Sequence, residues 1–177
     1  MTHFDPFEPG VVPLVLFQTA NPPPDPLERD DLPSREELFS HAFDFEKLIA
    51  GFYRRMGFQV IETGGRRELG ADLIVVHEGW KTAIQVKCSA RLVGVRAIRQ
   101  ASRAAGAYDT NAVRVVTNSF FTYQAQKEAE GRGIRLTPRD DLLRKLDLSE
   151  QKEFMRIDHL ANERRYDIGR LRGRGRP

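Results

Sequence analysis

The sequence has one cysteine, little proline outside one end, and no long apolar run. Cys88 is the only cysteine among 177 residues, which excludes an intrachain disulfide and a cysteine zinc cluster and favours a reducing compartment. His41, His77 and His159 lack metal-ligand spacing. The stretch VVPLVLF (Val11 to Phe17) is interrupted by Pro13, is too short to span a bilayer and has no basic residue before it. Neither a membrane helix nor a signal peptide is expected there, and the expected location is cytoplasmic. No internal repeat is present.

What is there is unevenly spread. Eight of the ten prolines precede residue 34, and NPPPDP (Asn21 to Pro26) cannot be helical. Residues 1–33 therefore read as an extended acidic arm. A strand is expected at Val11 to Thr19, able to dock on a sheet edge or on a partner chain. Up to Glu37 the acids are Asp5, Glu8, Asp25, Glu28, Asp30, Asp31, Glu36 and Glu37, against Arg29 and Arg35. The other end, RRYDIGRLRGRGRP, holds six arginines against Asp167. The net charge of +3 conceals this opposition, and the arginine-rich end suits a polyanion. Between the two ends, residues 34–148 have the composition of one folded domain. Residues 149–177 read as a polar helix running into a basic Arg/Gly tail.

Within the domain, SREE (Ser34 to Glu37) is a capping box and marks a helix start. A second helical signal follows in Phe45, Leu48, Ile49, Phe52, Tyr53 and Met56, stopped by Gly57. Strands are expected at 58–64, 72–77, 80–89, 113–119 and 134–137, helices at 95–105 and 123–130, and a further helix after Pro138. The first three strands are close in sequence and form a meander, and the later strands alternate with helices. The expected fold is α/β, a mixed sheet covered on both faces.

The stretch GADLIVVHEGWKTAIQVKCSA (residues 70–90) carries Asp72, Gln85 and Lys87 among apolar residues. Buried polar groups without partners cost a few kcal/mol each, so these three must satisfy one another or serve a reaction. A two-residue loop at Glu78-Gly79 sets His77 opposite Trp80 and, counting back, Asp72 opposite Gln85. Opposed side chains are about 4.5–5.5 Å apart at Cβ, and Lys87, two residues on, projects from the same face as Gln85. An acid and an amide oxygen are hard ligands suited to Mg²⁺, and a lysine beside them can hold an attacking water. The chemistry this points to is metal-assisted phosphodiester hydrolysis. Glu46, on the flank of Ile49, Ala50 and Tyr53, is a further acid able to look toward the site, and Glu68 is another candidate.

GADLIV followed by QVK, with FEKLIAGFYRRMGFQV before them, resembles the Mrr-like branch of the PD-(D/E)xK nucleases, which includes type IV restriction endonucleases. The resemblance spans roughly Leu38 to Leu146 and includes VVTNSFFTYQAQKEAEGRGIRL. It implies a restriction-endonuclease-like mixed β-sheet flanked by helices (αβββαβ core) and a nuclease domain at 34–148. It further implies Asp72 and Gln85 as metal ligands with the backbone carbonyl of Val86, Lys87 as the catalytic lysine, and Glu46 as the helix acid assisting through water. That branch carries Gln in the second ligand position, so Gln85 fits. Gln100 matches a glutamine common in the helix after the catalytic strand. Mg²⁺ is the implied cofactor, with Mn²⁺ substituting, and the implied products carry 5′-phosphate and 3′-hydroxyl ends.

The partner implied is DNA. Arg96 and Arg103 share a helical flank with Gln100, with Arg99 close by, and they form either a phosphate-facing rim or a solvated helix face. Arg170, Arg172, Arg174 and Arg176 resemble a minor-groove arm, or a solubility segment. Cutting both strands of a duplex needs two sites, so a homodimer is expected. A buried Asp72–Lys87 salt bridge is the bland alternative for the trio. Asn118 and Ser119 end a strand, as a helix cap or as a DNA contact. Two rival functions stay open: a structure-selective nuclease such as a Holliday-junction resolvase, and a non-catalytic DNA-binding module with a degenerate nuclease fold.

Overall fold

The computed structural model describes residues 35–63 and 69–172, with side chains described at 41–63 and 69–162. The N-terminal arm with its expected strand, the capping residue Ser34, Glu68, Arg174 and Arg176 lie outside the described residues.

Helix α1 (Arg35–Arg55) joins the two helical signals of the sequence into a single helix. It ends where the N–H groups of Gly57 and Phe58 turn back to the carbonyls of Arg54 and Tyr53, at 3.0 Å each. This is the Schellman pattern, with Phe58 packed edge-on against Tyr53 at 5.4 Å between ring centroids. The chain then reverses into β1 (Gln59–Glu62), and β2 (Leu73–His77) and β3 (Trp80–Lys87) complete the meander. After β3 come α2 (Val95–Ser102), α3 (Ala104–Ala107), β4 (Ala112–Thr117), α4 (Tyr123–Gly131), β5 (Arg135–Thr137), α5 (Arg139–Leu143) and α6 (Leu148–Arg172). The helix expected at 95–105 is thus two, broken at Arg103.

The five strands lie in the order β1-β2-β3-β4-β5. The first three are antiparallel, and β4 and β5 add in parallel. The β2–β3 register is the one the loop length predicts: His77 faces Trp80 and Leu73 faces Ile84. Glu78 and Gly79 both have positive φ, 48° and 80°, as a type I′ turn requires, so no bulge shifts the pairing.

Alternation along the central strands divides the core. On one face Leu73, Val75, Ile84, Val86 and Val116 pack against α1, Leu142 of α5, and Phe154 and Ile157 of α6. On the other, Ile74, Ala83, Val113 and Val115 meet Ala97, Ile98 and Ala101 of α2 and Ala125 and Ala129 of α4. The small residues of α2 and α4 let these helices lie close on the sheet. The polar segment that begins at residue 149 in the sequence reading therefore supplies two buried core residues. Among the described residues, no helix is long and apolar enough to cross a membrane.

Candidate active site

Asp72 immediately precedes β2; its own N–H donates to the Ile84 carbonyl of β3 at 2.8 Å while its carbonyl turns the other way, so the chain departs from the regular ladder at this residue. Its place is held from the other side by Thr63. The Thr63 N–H donates to the Asp72 carbonyl at 2.9 Å, and its hydroxyl to the Ala71 carbonyl at 2.6 Å. Residue parity sets Gln85 and Lys87 on the face covered by α2, since Ala83 belongs to that core, and the Gln85 side chain bonds Asp72.

Asp72 is 5% exposed and Gln85 is 1% exposed. Oδ2 of Asp72 accepts hydrogen bonds from Gln85 Nε2 and from the Val86 N–H, the latter at 2.6 Å. A buried carboxylate needs such donors, and these two answer why an acid and an amide sit in an apolar run. They do not use everything present: Gln85 Oε1 is buried and has no hydrogen-bond partner among the described residues. An orphaned buried amide oxygen beside a carboxylate is an oxygen-rich corner that a hard cation can use. In a strand the N–H and C=O of one residue point the same way, so the Val86 carbonyl also faces the β2 side, where Asp72 stands.

Lys87 is half-buried and closes β3. Its ammonium forms no ion pair or hydrogen bond among the described residues, and the Asp72–Lys87 salt bridge is not formed; Gln85 and the Val86 amide take that role. Glu46 is half-buried on α1, which covers the opposite face of the sheet. Because β1 runs back from the end of α1, the earlier turns of that helix lie toward the sheet end that carries Asp72. Among the described residues no group of three or more His, Cys, Asp and Glu side chains is arranged to hold a metal. Any cation here relies on the amide and backbone oxygens as well as on acids.

The strand ends are tied to the helices by polar contacts. Gly70, two residues before Asp72, has φ +93° and lies against the carbonyl of Gln100, so α2 abuts the approach to Asp72. On α2, Arg96 and Arg99 are exposed and Gln100 is half-buried, and Arg103, which caps the end of α2, is exposed. Arg99 Nε is engaged by Glu128 Oε1 at 3.1 Å, and the same oxygen takes Arg132 Nε at 2.9 Å. Those hydrogen bonds hold the Glu128 carboxyl below its ordinary range, Arg99 first and Arg132 second. Arg96 and Arg103 have no such partner among the described residues. The backbone of Arg170 and Arg172 belongs to α6.

Asn118 does not face outward. It is 2% exposed, accepts the Ser89 N–H at 2.6 Å and donates to Asp158 Oδ1 at 3.0 Å. Neither of the roles weighed for it in the sequence describes this bridge, because its partner on α6 is forty residues away. Asp158 also pairs with Arg139 at 2.6 Å. Cys88, between Lys87 and Ser89, turns into the α1 core. Burial pushes its thiol up to about 12, and the charge of Asp158 adds to the rise.

No curated protein matches the chain. Similar solved structures include a protein of unknown function, AF1548, with a TM-score of 0.49 and 14% identity over 72% of this chain and 98% of that one. The DNA modification-dependent restriction endonuclease AspBHI has a TM-score of 0.46 and 21% identity over 80% of this chain. The restriction endonuclease MspJI, in complex with a 27-mer oligonucleotide, has a TM-score of 0.44 and 17% identity over 72% of this chain. The chain spans 45% of the length of AspBHI and 33% of that of MspJI. The family model Mrr_cat, restriction endonuclease, matches residues 40–146, from the second turn of α1 to the residues following α5. With more than half of its length matched, the chain belongs to the Mrr-type restriction endonuclease family, and its mixed five-stranded sheet is the nuclease domain of that family.

Proposed function

We propose that the protein is a Mg²⁺-dependent endodeoxyribonuclease whose centre is formed by Asp72, Gln85 and Lys87. The observation that carries this is the orphaned Gln85 Oε1, buried beside the Asp72 carboxylate. The donor set fits the ion: one carboxylate, one amide oxygen and the Val86 carbonyl are hard oxygens, and Mg²⁺ takes one or two carboxylates while keeping several waters. When bound, the cation, Mg²⁺ or Mn²⁺ in its stead, stabilises charge developing on a phosphate oxygen.

The remaining steps belong to the chain. Lys87, half-buried and with an ammonium unclaimed by any ion pair among the described residues, holds the attacking water in line with the scissile bond. Glu46 reaches round the end of the sheet and acts through water. Arg96 and Arg103, exposed on the helix beside Gln100, contact phosphates, and Gln100 orients the strand being cut. The arginines of the tail, Arg170, Arg172, Arg174 and Arg176, add backbone or minor-groove contacts. Cleavage leaves 5′-phosphate and 3′-hydroxyl ends, and two copies of the chain cut the two strands of a duplex.

Supercoiled plasmid incubated with the protein and Mg²⁺ or Mn²⁺ tests this directly. Nicked and linear products are expected from wild type, and a loss of at least ~10²-fold from Lys87→Ala. Equal cutting by both proteins removes Lys87 from the mechanism. Linear duplex, methylated duplex and a four-way junction, run in parallel, distinguish restriction from junction resolution.

A further inference from the structure

We infer that Thr117 and Asn118 are positioning residues for Lys87, acting through the backbone on either side of it. The inference rests on the assignment of Lys87 to the reaction.

Lys87 is the last residue of β3, and its Cα partner on β4 is Thr117. Beyond it the ladder stops, yet the chain does not go slack. The Thr117 hydroxyl donates to the Lys87 carbonyl at 2.7 Å, and the Asn118 side-chain oxygen accepts the Ser89 N–H at 2.6 Å. Two side chains from the end of β4 thus replace the ladder bonds that the ending strand no longer makes. Thr117 is 0% exposed and Asn118 2%, so water does not compete for these bonds.

The frame is closed behind them. The Thr117 oxygen also accepts the Ser119 N–H at 3.1 Å. Asn118 Nδ2 donates to Asp158 Oδ1 at 3.0 Å, and Asp158 Oδ2 is paired with Arg139 at 2.6 Å. Asn162, one turn along α6, donates to the same Asp158 Oδ1 at 3.0 Å. The β3 end is therefore braced through β4 to α5 and α6.

A lysine has four rotatable bonds, and the ammonium of Lys87 has no partner among the described residues. Its direction is set by the backbone that launches it and by the packing of its stem. Displacement of a reacting group by about 1 Å is worth about 10²-fold in rate. Loss of one of the two bonds flanking Lys87 should therefore appear in turnover before it appears in DNA affinity.

Thr117→Val keeps the branched shape and deletes the hydroxyl, and Thr117→Ser keeps the hydroxyl. With duplex plasmid and Mg²⁺, Thr117→Val is expected to lower kcat about tenfold with KM within twofold of wild type, and Thr117→Ser to retain wild-type kcat. In a Lys87→Ala background, with enzyme in excess and Mn²⁺ present, Thr117→Val is expected to cause no further loss, since it acts through a side chain already removed. Asp158→Asn, which does not touch β3, gives a second and milder variant should Thr117→Val fold poorly, and is expected to lower kcat about threefold with KM within twofold of wild type. Wild-type kcat in Thr117→Val or in Asp158→Asn, or an additive loss in the double variant, would overturn the inference. Failure of the underlying assignment has a different signature: Lys87→Ala would then cut as wild type does.

Discussion

Gly70 and Gln100 meet backbone to backbone: a Cβ on Gly70 would collide with the Gln100 carbonyl oxygen and lie 3.3 Å from the Ala104 amide nitrogen. The loop that delivers Asp72 is thereby pressed onto the end of α2. Gly70→Ala meets both a positive φ of 93° and a backbone it cannot displace without shifting α2. A loss of more than ~2 kcal/mol is expected, read as a lower urea midpoint with an unchanged m value. A wild-type midpoint would show that α2 yields freely, and that its seat against the Asp72 loop is loose.

Cation binding should be visible without any cleavage. An ion that binds the folded chain and not the unfolded one stabilises it by RT ln(1 + [L]/Kd), about 2.7 kcal/mol at a hundredfold excess over Kd. Mg²⁺ is therefore expected to raise the Tm of the wild type, by about 5–10 °C at such an excess. In Asp72→Asn the rise should vanish. That variant keeps the side-chain shape, but its neutral amide binds a hard cation far more weakly. Differential scanning fluorimetry across a Mg²⁺ titration measures it. An equal rise in both proteins would place the ion elsewhere.

Much of this arrangement was legible because β-sheets have a strict period of two. One turn glycine and the alternation around it set His77 against Trp80 and Leu73 against Ile84, and alternation along β3 put Gln85 and Lys87 on one face. The pairing partner inside the trio was harder to read. Asp72 is satisfied by an amide side chain and a backbone N–H, and a sequence does not advertise backbone donors. Asn118 was ambiguous for a related reason. A polar residue at a strand end suits a cap, a ligand contact or a brace, and only the position of Asp158 on α6 decides. The core role of α6 was hidden because Phe154 and Ile157 stand in a charged run whose third large apolar residue, Met155, is 51% exposed. The placing of α1 on the far face of the sheet, which makes Glu46 approach round the end, depends on chain reversal at Gly57 and not on any local pattern.

The packing of α6 has a measurable consequence. Phe154 is fully buried, edge-on to Phe45 at 6.0 Å between centroids, with the Arg139 guanidinium 5.1 Å from its ring. Phe154→Ala removes a core ring and leaves a cavity, which costs about 3–5 kcal/mol. For a chain of this size, that is a fall in Tm of roughly 10 °C. Met155→Ala, one residue on and half exposed, is the control and should shift Tm by no more than ~2 °C. Equal shifts in the two variants would mean that α6 is only loosely attached.

Cys88 offers a probe of the strand that carries Lys87. The thiolate is the reactive form, and burial together with the Asp158 charge raises the thiol from 9.0 to about 12. At pH 8 the folded chain then holds roughly a thousandth of the thiolate that the unfolded chain holds. Alkylation by iodoacetamide, followed by mass spectrometry, is expected to be slower in native protein by about that factor, and quick in urea. The sign follows from the direction of the shift. Folding favours the protonated thiol, so its contribution to stability is complete below the unfolded value near 9 and is lost as pH rises through the folded one. Native alkylation should therefore keep rising about tenfold per pH unit past pH 9, where the unfolded chain levels off, until the pH nears about 12. Asp158→Asn, by removing the charge that adds to the shift, should increase the native rate at every pH below that. A native rate at pH 8 equal to the unfolded one would mean that the β3 end opens freely, a condition incompatible with a lysine held in place by Thr117 and Asn118.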